Sequence, residues 1–206
     1  MTNGDGMIKN IVFDIGNVLM KYDPRGYIYG AFERNTADRI FDAMFHSGFW
    51  IELDRGIMSE EEILDGFIRH CPDLSGQIRR MYDEMGGFCS AYSGTRPWLL
   101  RLKEDYHLYY LSNYSLPMRR RTGEMLDSFL LLLEGGIFSY EVKKIKPDPA
   151  IYHMLLDRYS LLPEECVFID DSADNVRAAA SLGMKALQAK DASDTRIALD
   201  RLLENA

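Results

Sequence analysis

Residues 11–19 of the chain read IVFDIGNVL, and the interpretation of the whole sequence begins from this stretch. The apolar letters IVF fit a short buried β-strand. The strand ends on a carboxylate, Asp14, and Gly16 follows two residues later as in a turn. Because ligands bind at the carboxyl ends of strands in open parallel sheets, a strand that ends on an aspartate predicts a functional side chain at that position.

The composition limits the classes of protein to which the chain can belong. With 206 residues, 47% of them apolar, it can form one large or two small domains with a buried core. A net charge of −8 argues against nucleic acid or an anionic membrane as partner. The longest apolar run, residues 129–133, is far shorter than the roughly 20 residues of a membrane span.

Two further features predict a cytoplasmic protein. The first six residues, MTNGDG, resemble a short polar leader and have no secretion-signal pattern. Three cysteines, Cys71, Cys89 and Cys166, lack the spacing of metal ligands, and their odd number predicts reduced thiols.

Short apolar runs alternate with helical patterns along most of the chain. The predicted strands are Ile8 to Asp14, His107 to Ser112, Cys166 to Asp170 and Met184 to Gln188. The predicted helices beside them are Arg96 to Glu104, Asp148 to Tyr159 and Ser172 to Leu182. This alternation predicts an α/β fold, with a Rossmann-like parallel sheet covered by helices on both faces.

Residues 27–92 interrupt the alternation with helical patterns and no good strand. Ser59 and Glu62 fit the capping box of one helix, and apolar residues recur at helical spacing from Thr36 to Phe45. The segment is long for a connection. We predict a small all-helical cap domain over residues 25–92, with residues 7–24 and 93–206 as the core; extra helices packed on the sheet are the alternative.

Polar side chains stand at the ends of three predicted strands. They are Asp14 after the first, Ser112 and Asn113 after the second, and Asp170 and Asp171 after the third. A single strand-terminal aspartate is often a helix cap, but together these positions meet at one sheet edge. Lys146 precedes a predicted helix in KKIKPDP and is grouped with them. The adjacent carboxylates at 170 and 171 repel each other, which favours a bound cation there.

The sequence resembles the haloacid dehalogenase-like hydrolases from Ile8 to about Lys190. IVFDIGNVL, YYLSN, EVKKIKPDPAIY and VFIDDSADNVRAA are similar to the four motifs of that family, in the same order. The helical insertion lies where the helical-cap subgroup carries its cap. The best fit is to phosphatases with Asp-x-Gly-Asn-Val in the first motif, similar to bacterial glucose-1-phosphate phosphatases. The resemblance implies a Mg²⁺-dependent phosphatase of a small phosphorylated metabolite, such as a sugar phosphate.

The resemblance also implies a role for each candidate residue. A carboxylate beside Mg²⁺ can attack phosphorus and form an aspartyl-phosphate, which is the role expected of Asp14. Oxygen ligands suit this metal. The expected ligands are Asp14, the Gly16 carbonyl, Asp170 and Asp171. Ser112 and Asn113 are expected to contact phosphoryl oxygens, and Lys146 to offset charge in the transition state.

Gly16 departs from the family pattern, because most phosphatases of the family carry an aspartate there for general acid–base catalysis, worth about 10²–10⁴ in rate. Asn175 also stands where a further aspartate is frequent. Three interpretations are open. The enzyme either needs little leaving-group protonation or uses another carboxyl, such as Asp23. In the second interpretation it is a 2-haloacid dehalogenase, although those enzymes lack the acidic pair. In the third it is a catalytically impaired protein that binds a phosphorylated ligand or another protein. The sequence leaves the substrate and oligomeric state open.

Overall fold

The structure is a computed structural model and describes residues 7–204. The predicted polar leader, residues 1–6, lies outside the described residues. The strands are β1 (Asn10–Phe13), β2 (Met20–Tyr22), β3 (Cys89–Ala91), β4 (His107–Ser112), β5 (Gly135–Phe138), β6 (Cys166–Asp170) and β7 (Lys185–Gln188). The α-helices are α1 (Pro24–Ala31), α2 (Arg34–Phe45), α3 (Phe49–Arg55), α4 (Glu60–His70), α5 (Ser75–Asp83), α6 (Thr95–Leu102), α7 (Leu116–Arg121), α8 (Gly123–Leu130), α9 (Ser139–Val142), α10 (Pro149–Tyr159), α11 (Ala173–Ser181) and α12 (Ala192–Glu204).

Five strands form one parallel sheet in the order β5-β4-β1-β6-β7. The first strand in the chain, β1, is therefore central, with β4 on one side and β6 on the other. The register places Phe13 opposite both Tyr110 and Ile169. Because all strands run in the same direction, the residues that follow β1, β4 and β6 meet at one edge of the sheet, which is where such sheets bind ligands.

Both faces of the sheet are buried. Ile11 and Phe13 point into one apolar cluster, whereas Val12 points into a second cluster with Leu111 and Tyr152 on the opposite face. This alternation is the two-residue period of a strand. Helices cover each face, and the prediction of an α/β fold with a parallel sheet between helical layers is confirmed.

Helices α1 to α5 lie between β2 and β3 in the chain and share the first apolar cluster with the sheet. The predicted capping box opens α4: the Ser59 Oγ accepts a hydrogen bond from the Glu62 N–H, and the Glu62 carboxylate accepts one from the Ser59 N–H. The box satisfies backbone donors that the first helical turn leaves free. The local sequence therefore sets where α4 begins.

A short antiparallel pair joins the start and the end of this helical segment. Strand β2 pairs with β3, with Tyr22 opposite Cys89. The prediction that residues 27–92 contain no strand is therefore wrong at the C-terminal end of that range. Strand β3 has three residues, two of them exposed, so it has no apolar alternation that a sequence pattern could reveal. The division of the chain into core and cap at residues 24–25 and 92–93 stays a prediction.

Candidate functional site

A cavity of about 240 Å³ opens at the carboxyl ends of β1, β4 and β6. Six of the seven predicted site residues line it, namely Asp14, Gly16, Ser112, Asn113, Lys146 and Asp171. The seventh, Asp170, is fully buried behind them. The parallel sheet thus brings together residues that lie up to 157 positions apart in the chain.

The Lys146 ammonium group lies between two of the carboxylates. Its Nζ atom donates to Asp14 Oδ1 at 2.7 Å, to Asp170 Oδ2 at 2.6 Å and to the Leu111 carbonyl oxygen at 2.8 Å. An ammonium has three donors, so all of them are engaged. With Oδ1 of Asp14 held in this way, its other oxygen, Oδ2, remains on the side of Gly16.

These contacts shift the protonation of both partners. Burial raises the pKa of Asp14 to about 6; the Lys146 charge lowers it and that of Asp170 raises it. Burial lowers the pKa of Lys146, but the carboxylates of Asp14 and Asp170 raise it by more, so it lies above its usual range. Lys146 therefore stays protonated at neutral pH, while Asp14 is poised to bind either a proton or a cation.

Asp170 is held by hydrogen bonds on both oxygens. In addition to Lys146, the Asn175 Nδ2 donates at 3.0 and 3.1 Å, and the Ser172 N–H donates at 2.8 Å. Asn175, one of the departures from the family pattern, is thus a donor to a buried carboxylate. An aspartate in its place would put a second negative charge against Asp170.

Asp171 is exposed and faces the cavity. The Asn17 Nδ2 donates to its Oδ2 at 2.9 Å, and the Asn17 Oδ1 accepts from the Tyr22 N–H at 3.0 Å. Asn17 has a left-handed backbone with φ 57°, a conformation that asparagine adopts more readily than most residues. The sequence reasoning missed this residue, although it stands within the quoted motif.

Ser112 is the last residue of β4 and Asn113 follows it, so both lie on the side of β1 opposite to β6. Ser112 is almost completely buried and is reached through the cavity. Asn113 makes two hydrogen bonds to the backbone of Lys146, donating to its carbonyl at 3.0 Å and accepting from its N–H at 2.8 Å. The Asn113 side chain therefore fixes the loop that carries Lys146, a contact that the sequence did not suggest.

Helix α3 forms part of the wall opposite the sheet edge. Trp50 and Asp54 line the cavity from this helix, four residues apart and hence on one face. Burial raises the pKa of Asp54 to about 7, and the negative charge of Asp14 adds to this rise. Asp54 was also missed, because no motif marks it and it lies 40 residues from Asp14.

The surroundings of Gly16 and Asp23 show whether the backbone requires a glycine at position 16 and whether Asp23 can serve as an acid. The backbone of Gly16 does not lie in the left-handed region, and a Cβ there would stand 3.6 Å from the Tyr22 Cβ and 3.9 Å from Asp14 Oδ2. Glycine is therefore not required by the backbone. Asp23 instead caps α1 and pairs with Lys21 at 2.9 Å, away from the cavity. Hydrogen bonds from Lys21 and Gly26 lower the pKa of Asp23, so it is not a proton donor at neutral pH.

The acidic cluster fits a divalent cation. Oxygen atoms of Asp14, Asp170 and Asp171 lie within 4.8 Å of one another. Lys146 offsets only part of their charge, so the cluster keeps an excess of negative charge that a cation would neutralise. Carboxylate oxygens are the ligands that Mg²⁺ prefers, and Gly16 lines the same side of the cavity.

No α-helix within residues 7–204 combines the length and apolar character needed to cross a membrane.

Comparison with known proteins agrees with the family resemblance that the four motifs indicate. The family model for haloacid dehalogenase-like hydrolases matches residues 8–183. The chain is 28% identical to D-ribitol-5-phosphate phosphatase of Bacteroides thetaiotaomicron, over 97% of this chain and 100% of that protein. It is 27% identical to flavin mononucleotide hydrolase 1 of Arabidopsis thaliana, over 91% of this chain and 77% of that protein.

The fold is also similar to that of a crystallised haloacid dehalogenase-family enzyme of Bacteroides thetaiotaomicron, in complex with magnesium and inorganic phosphate. The TM-score is 0.70 at 24% sequence identity, and the match covers 89% of this chain and 94% of that one. The chain belongs to the haloacid dehalogenase-like hydrolases, as its four motifs predicted. The closer resemblance to members with Asp-x-Gly-Asn-Val in the first motif stays a prediction.

Proposed function

We propose that the chain hydrolyses the monophosphate ester of a small neutral alcohol, in a Mg²⁺-dependent reaction that passes through an aspartyl-phosphate on Asp14. Membership of the family, together with phosphatase relatives that match nearly the whole chain, supports the class of phosphoric monoester hydrolases. The observation that carries the proposal is the position of Asp14. It directly follows the central strand β1, faces a cavity, and has one oxygen held by a buried ammonium.

Asp14 is the proposed nucleophile. Lys146 holds its Oδ1, which leaves the carboxylate fixed in orientation with Oδ2 on the side of the cavity. Attack by a carboxylate oxygen on phosphorus forms an O–P bond and breaks the P–O bond to the alcohol. Water then cleaves the aspartyl-phosphate and restores the carboxylate. A fixed nucleophile lowers the barrier because its orientation does not have to be found during the reaction.

The other site residues are proposed to bind and stabilise the phosphoryl group. The Ser112 hydroxyl at the cavity floor donates to a phosphoryl oxygen, and Lys146 offsets negative charge in the transition state. Asn113 holds the backbone of Lys146 and contributes to the phosphate site through that position. Mg²⁺ held by Asp14, Asp171, the Gly16 carbonyl and the neighbouring Asp170 would neutralise phosphoryl charge and so permit attack by an anion.

The walls of the cavity favour a substrate with a single phosphate and no other charge. Of the side chains described, Lys146 is the one cationic group that lines the cavity, and it is already committed to two carboxylates. Asp54 also lines the cavity, and in its carboxylate form it would repel a second anion. The volume lies below the roughly 300–1,000 Å³ of drug-sized sites. A short polyol phosphate, such as the substrate named for the ribitol relative, therefore fits better than a flavin nucleotide.

The test is phosphate release from a panel of esters at equal concentration, with Mg²⁺ and after chelation. We expect ribitol 5-phosphate and sugar monophosphates to be hydrolysed faster than flavin mononucleotide and sugar bisphosphates. The Asp14→Asn variant is the matched control, because it keeps the shape of the side chain and loses the nucleophile. It should fold normally and lose at least 10²-fold in rate.

Three outcomes would contradict the proposal. One is full phosphatase activity in the presence of excess chelator. Another is the absence of phosphate release from any ester together with halide release from a 2-haloacid, which would support the dehalogenase interpretation instead. The third is phosphate binding to a folded but inactive wild-type protein, which would support the interpretation as an impaired binding protein.

A further inference from the structure

The proposed reaction needs a proton for the departing alcohol, and Gly16 cannot supply one. We propose that Asp54, on the helical segment opposite the sheet, protonates the leaving group and then accepts the proton of the attacking water. This inference rests on the proposed phosphatase function and adds to it the residue that performs acid–base catalysis. The wall opposite the sheet edge then takes part in the chemistry as well as enclosing the substrate.

The C-terminal end of α3 is fixed against the core, so the position of Asp54 is well defined. The Ser139 Oγ donates to the Asp54 carbonyl oxygen at 2.5 Å, and the Lys143 Nζ donates to the Gly56 carbonyl oxygen at 2.6 Å. Gly56 ends the helix in a left-handed conformation, with φ 69°. These two contacts join α3 to the segment after β5, and they hold the Asp54 side chain at the cavity.

Elimination among the carboxyl groups also leads to Asp54. Within residues 7–204, the carboxylates that line the cavity are Asp14, Asp54 and Asp171. Asp14 is bound by Lys146, and Asp171 accepts a hydrogen bond from Asn17 and belongs to the acidic cluster. The Asp54 carboxyl makes no hydrogen bond or ion pair to another described residue. It is the carboxyl group that remains free to act on a substrate.

The surroundings of Asp54 keep it partly protonated near neutral pH. Burial raises its pKa to about 7, Asp14 at the end of β1 raises it further, and Lys146 before α10 acts in the opposite direction. Tyr22 on β2 also faces it; burial and the charge of Asp54 raise the pKa of that phenol well above its usual range, so it stays neutral. An acid whose pKa lies near the working pH can both donate and accept a proton.

The proposed reaction has two steps, transfer of the phosphoryl group to Asp14 and hydrolysis of the aspartyl-phosphate. An Asp14 oxygen bonds to phosphorus, the ester P–O bond breaks, and the departing oxygen takes the proton of the Asp54 carboxyl, which releases the alcohol. A water molecule then gives its proton to the Asp54 carboxylate as its oxygen bonds to phosphorus. The bond between phosphorus and Asp14 breaks, phosphate leaves, and both side chains return to their starting states.

The test compares Asp54→Asn with the wild type on two esters of different leaving group. For an alkyl phosphate, whose alcohol needs the proton, we expect kcat to fall by about 10²–10⁴-fold. For 4-nitrophenyl phosphate the first step, formation of the aspartyl-phosphate, should keep most of its rate, because nitrophenolate leaves without being protonated. The variant should release about one equivalent of nitrophenol rapidly and then turn over slowly, since its aspartyl-phosphate lacks the base. Phosphoenzyme trapped by acid quench would show the same accumulation.

Asp23→Asn is the matched control. Asp23 is the other candidate carboxyl near the motif, lies outside the cavity, and an asparagine can still cap α1. We expect its kcat on both esters to stay within about twofold of the wild type. Asp54→Glu, which keeps a carboxyl group, should retain more steady-state turnover than Asp54→Asn. Thermal unfolding of each variant establishes that it is folded.

The pH profile separates an acid from a merely structural residue. For the alkyl ester, kcat/KM should fall as pH rises above about 7, because the acid is then deprotonated in the free enzyme. That descending limb should be lost in Asp54→Asn and kept in Asp23→Asn. Equal losses on both esters, with no burst and an unchanged pH profile, would overturn the role of Asp54. An inactive wild type would instead overturn the proposed function, and this inference with it.

Discussion

At the scale of single residues, Lys146 balances the charge of the buried site. It is almost completely buried and forms ion pairs of 2.7 Å with Asp14 and 2.6 Å with Asp170. Loss of one partner from a buried charge pair leaves the other charge uncompensated, which typically destabilises a protein by about 3–5 kcal/mol. In this site two carboxylates would lose their partner at once.

We therefore expect Lys146→Met to lower the free energy of unfolding of the metal-free protein by about 3–5 kcal/mol and to reduce turnover at least 10²-fold. Urea unfolding at neutral pH measures the first quantity. Lys144→Met is the control, because Lys144 is exposed and pairs with Asp148 at 3.5 Å; its removal should change stability by less than about 1 kcal/mol. Similar effects of the two substitutions would show that the buried pair does not stabilise the site.

Substitution of Gly16 tests whether an acid at position 16 can replace Asp54. A Cβ at position 16 meets its neighbours at ordinary contact distances and stands near Asp14 Oδ2. We expect Gly16→Asp, made in the Asp54→Asn background, to fold and to raise alkyl phosphate turnover at least tenfold over Asp54→Asn alone. Gly16→Asn in the same background, which adds the same shape without an acid, should give no gain. A folded Gly16→Asp protein that is equally inactive would mean that position 16 does not deliver a proton here.

The sequence predicted the residues of the sheet edge much better than those of the opposite wall. Asp14, Ser112 and Asp171 stand at strand ends, and the register of parallel strands brings such positions together whatever their separation in the chain. Asp54 could not be found in this way. Its place in the cavity depends on how α3 packs on the core, which is a matter of tertiary contacts such as the one between Ser139 and the Asp54 carbonyl.

At the scale of secondary structure elements, strong local signals gave accurate predictions. β4 and β6 have the predicted bounds, and α10 begins at Pro149 after the Asp148 cap, as its sequence indicates. Gly183 follows α11 with φ 93°, as expected of a glycine just beyond a helix. In each case a local feature of the sequence determines where the element begins or ends: an apolar run, a helix cap or a turn glycine.

The strand β5 was not predicted, and the reason is physical. It begins with Gly135 and Gly136, which are unfavourable in an isolated strand. A Cβ on Gly136 would stand 2.3 Å from the Tyr110 carbonyl oxygen, so the close approach to β4 requires a glycine there. The β2–β3 pair was missed for a related reason. Each of these short strands is specified by its partner and carries little signal alone.

At the scale of the whole molecule, the cavity carboxyls of Asp14 and Asp54 destabilise the fold at neutral pH. Burial raises the pKa of Asp14 to about 6 and that of Asp54 to about 7, above the ordinary value of about 3.8 that applies in the unfolded chain. Between about pH 4 and pH 7 these two groups therefore bind more protons in the folded protein than in the unfolded chain. The contribution of these groups to stability is then present at low pH and is lost as pH rises through the folded pKa values. The negative charge that the proposed chemistry requires on Asp14 thus destabilises the fold at neutral pH.

A bound cation should reverse that effect, and this leads to a prediction about the metal. At a Mg²⁺ concentration of 100 times its Kd, binding adds about 2.7 kcal/mol to the stability. For a chain of this length such a gain corresponds to a rise of about 5–10 °C in Tm.

We expect this rise in the wild type at pH 8 and a much smaller one at pH 5, because Asp14, whose pKa is about 6, must then lose a proton to bind the metal. Asp171→Asn should abolish most of the shift. Asp174→Asn should keep it, since Asp174 is an exposed carboxylate of α11 that pairs with Arg177 outside the cavity. Differential scanning fluorimetry with Mg²⁺ and with chelator measures all three proteins under the same conditions. A shift that is equal in Asp171→Asn and Asp174→Asn would place the cation elsewhere on this acidic protein, and the acidic cluster would lose its assigned role.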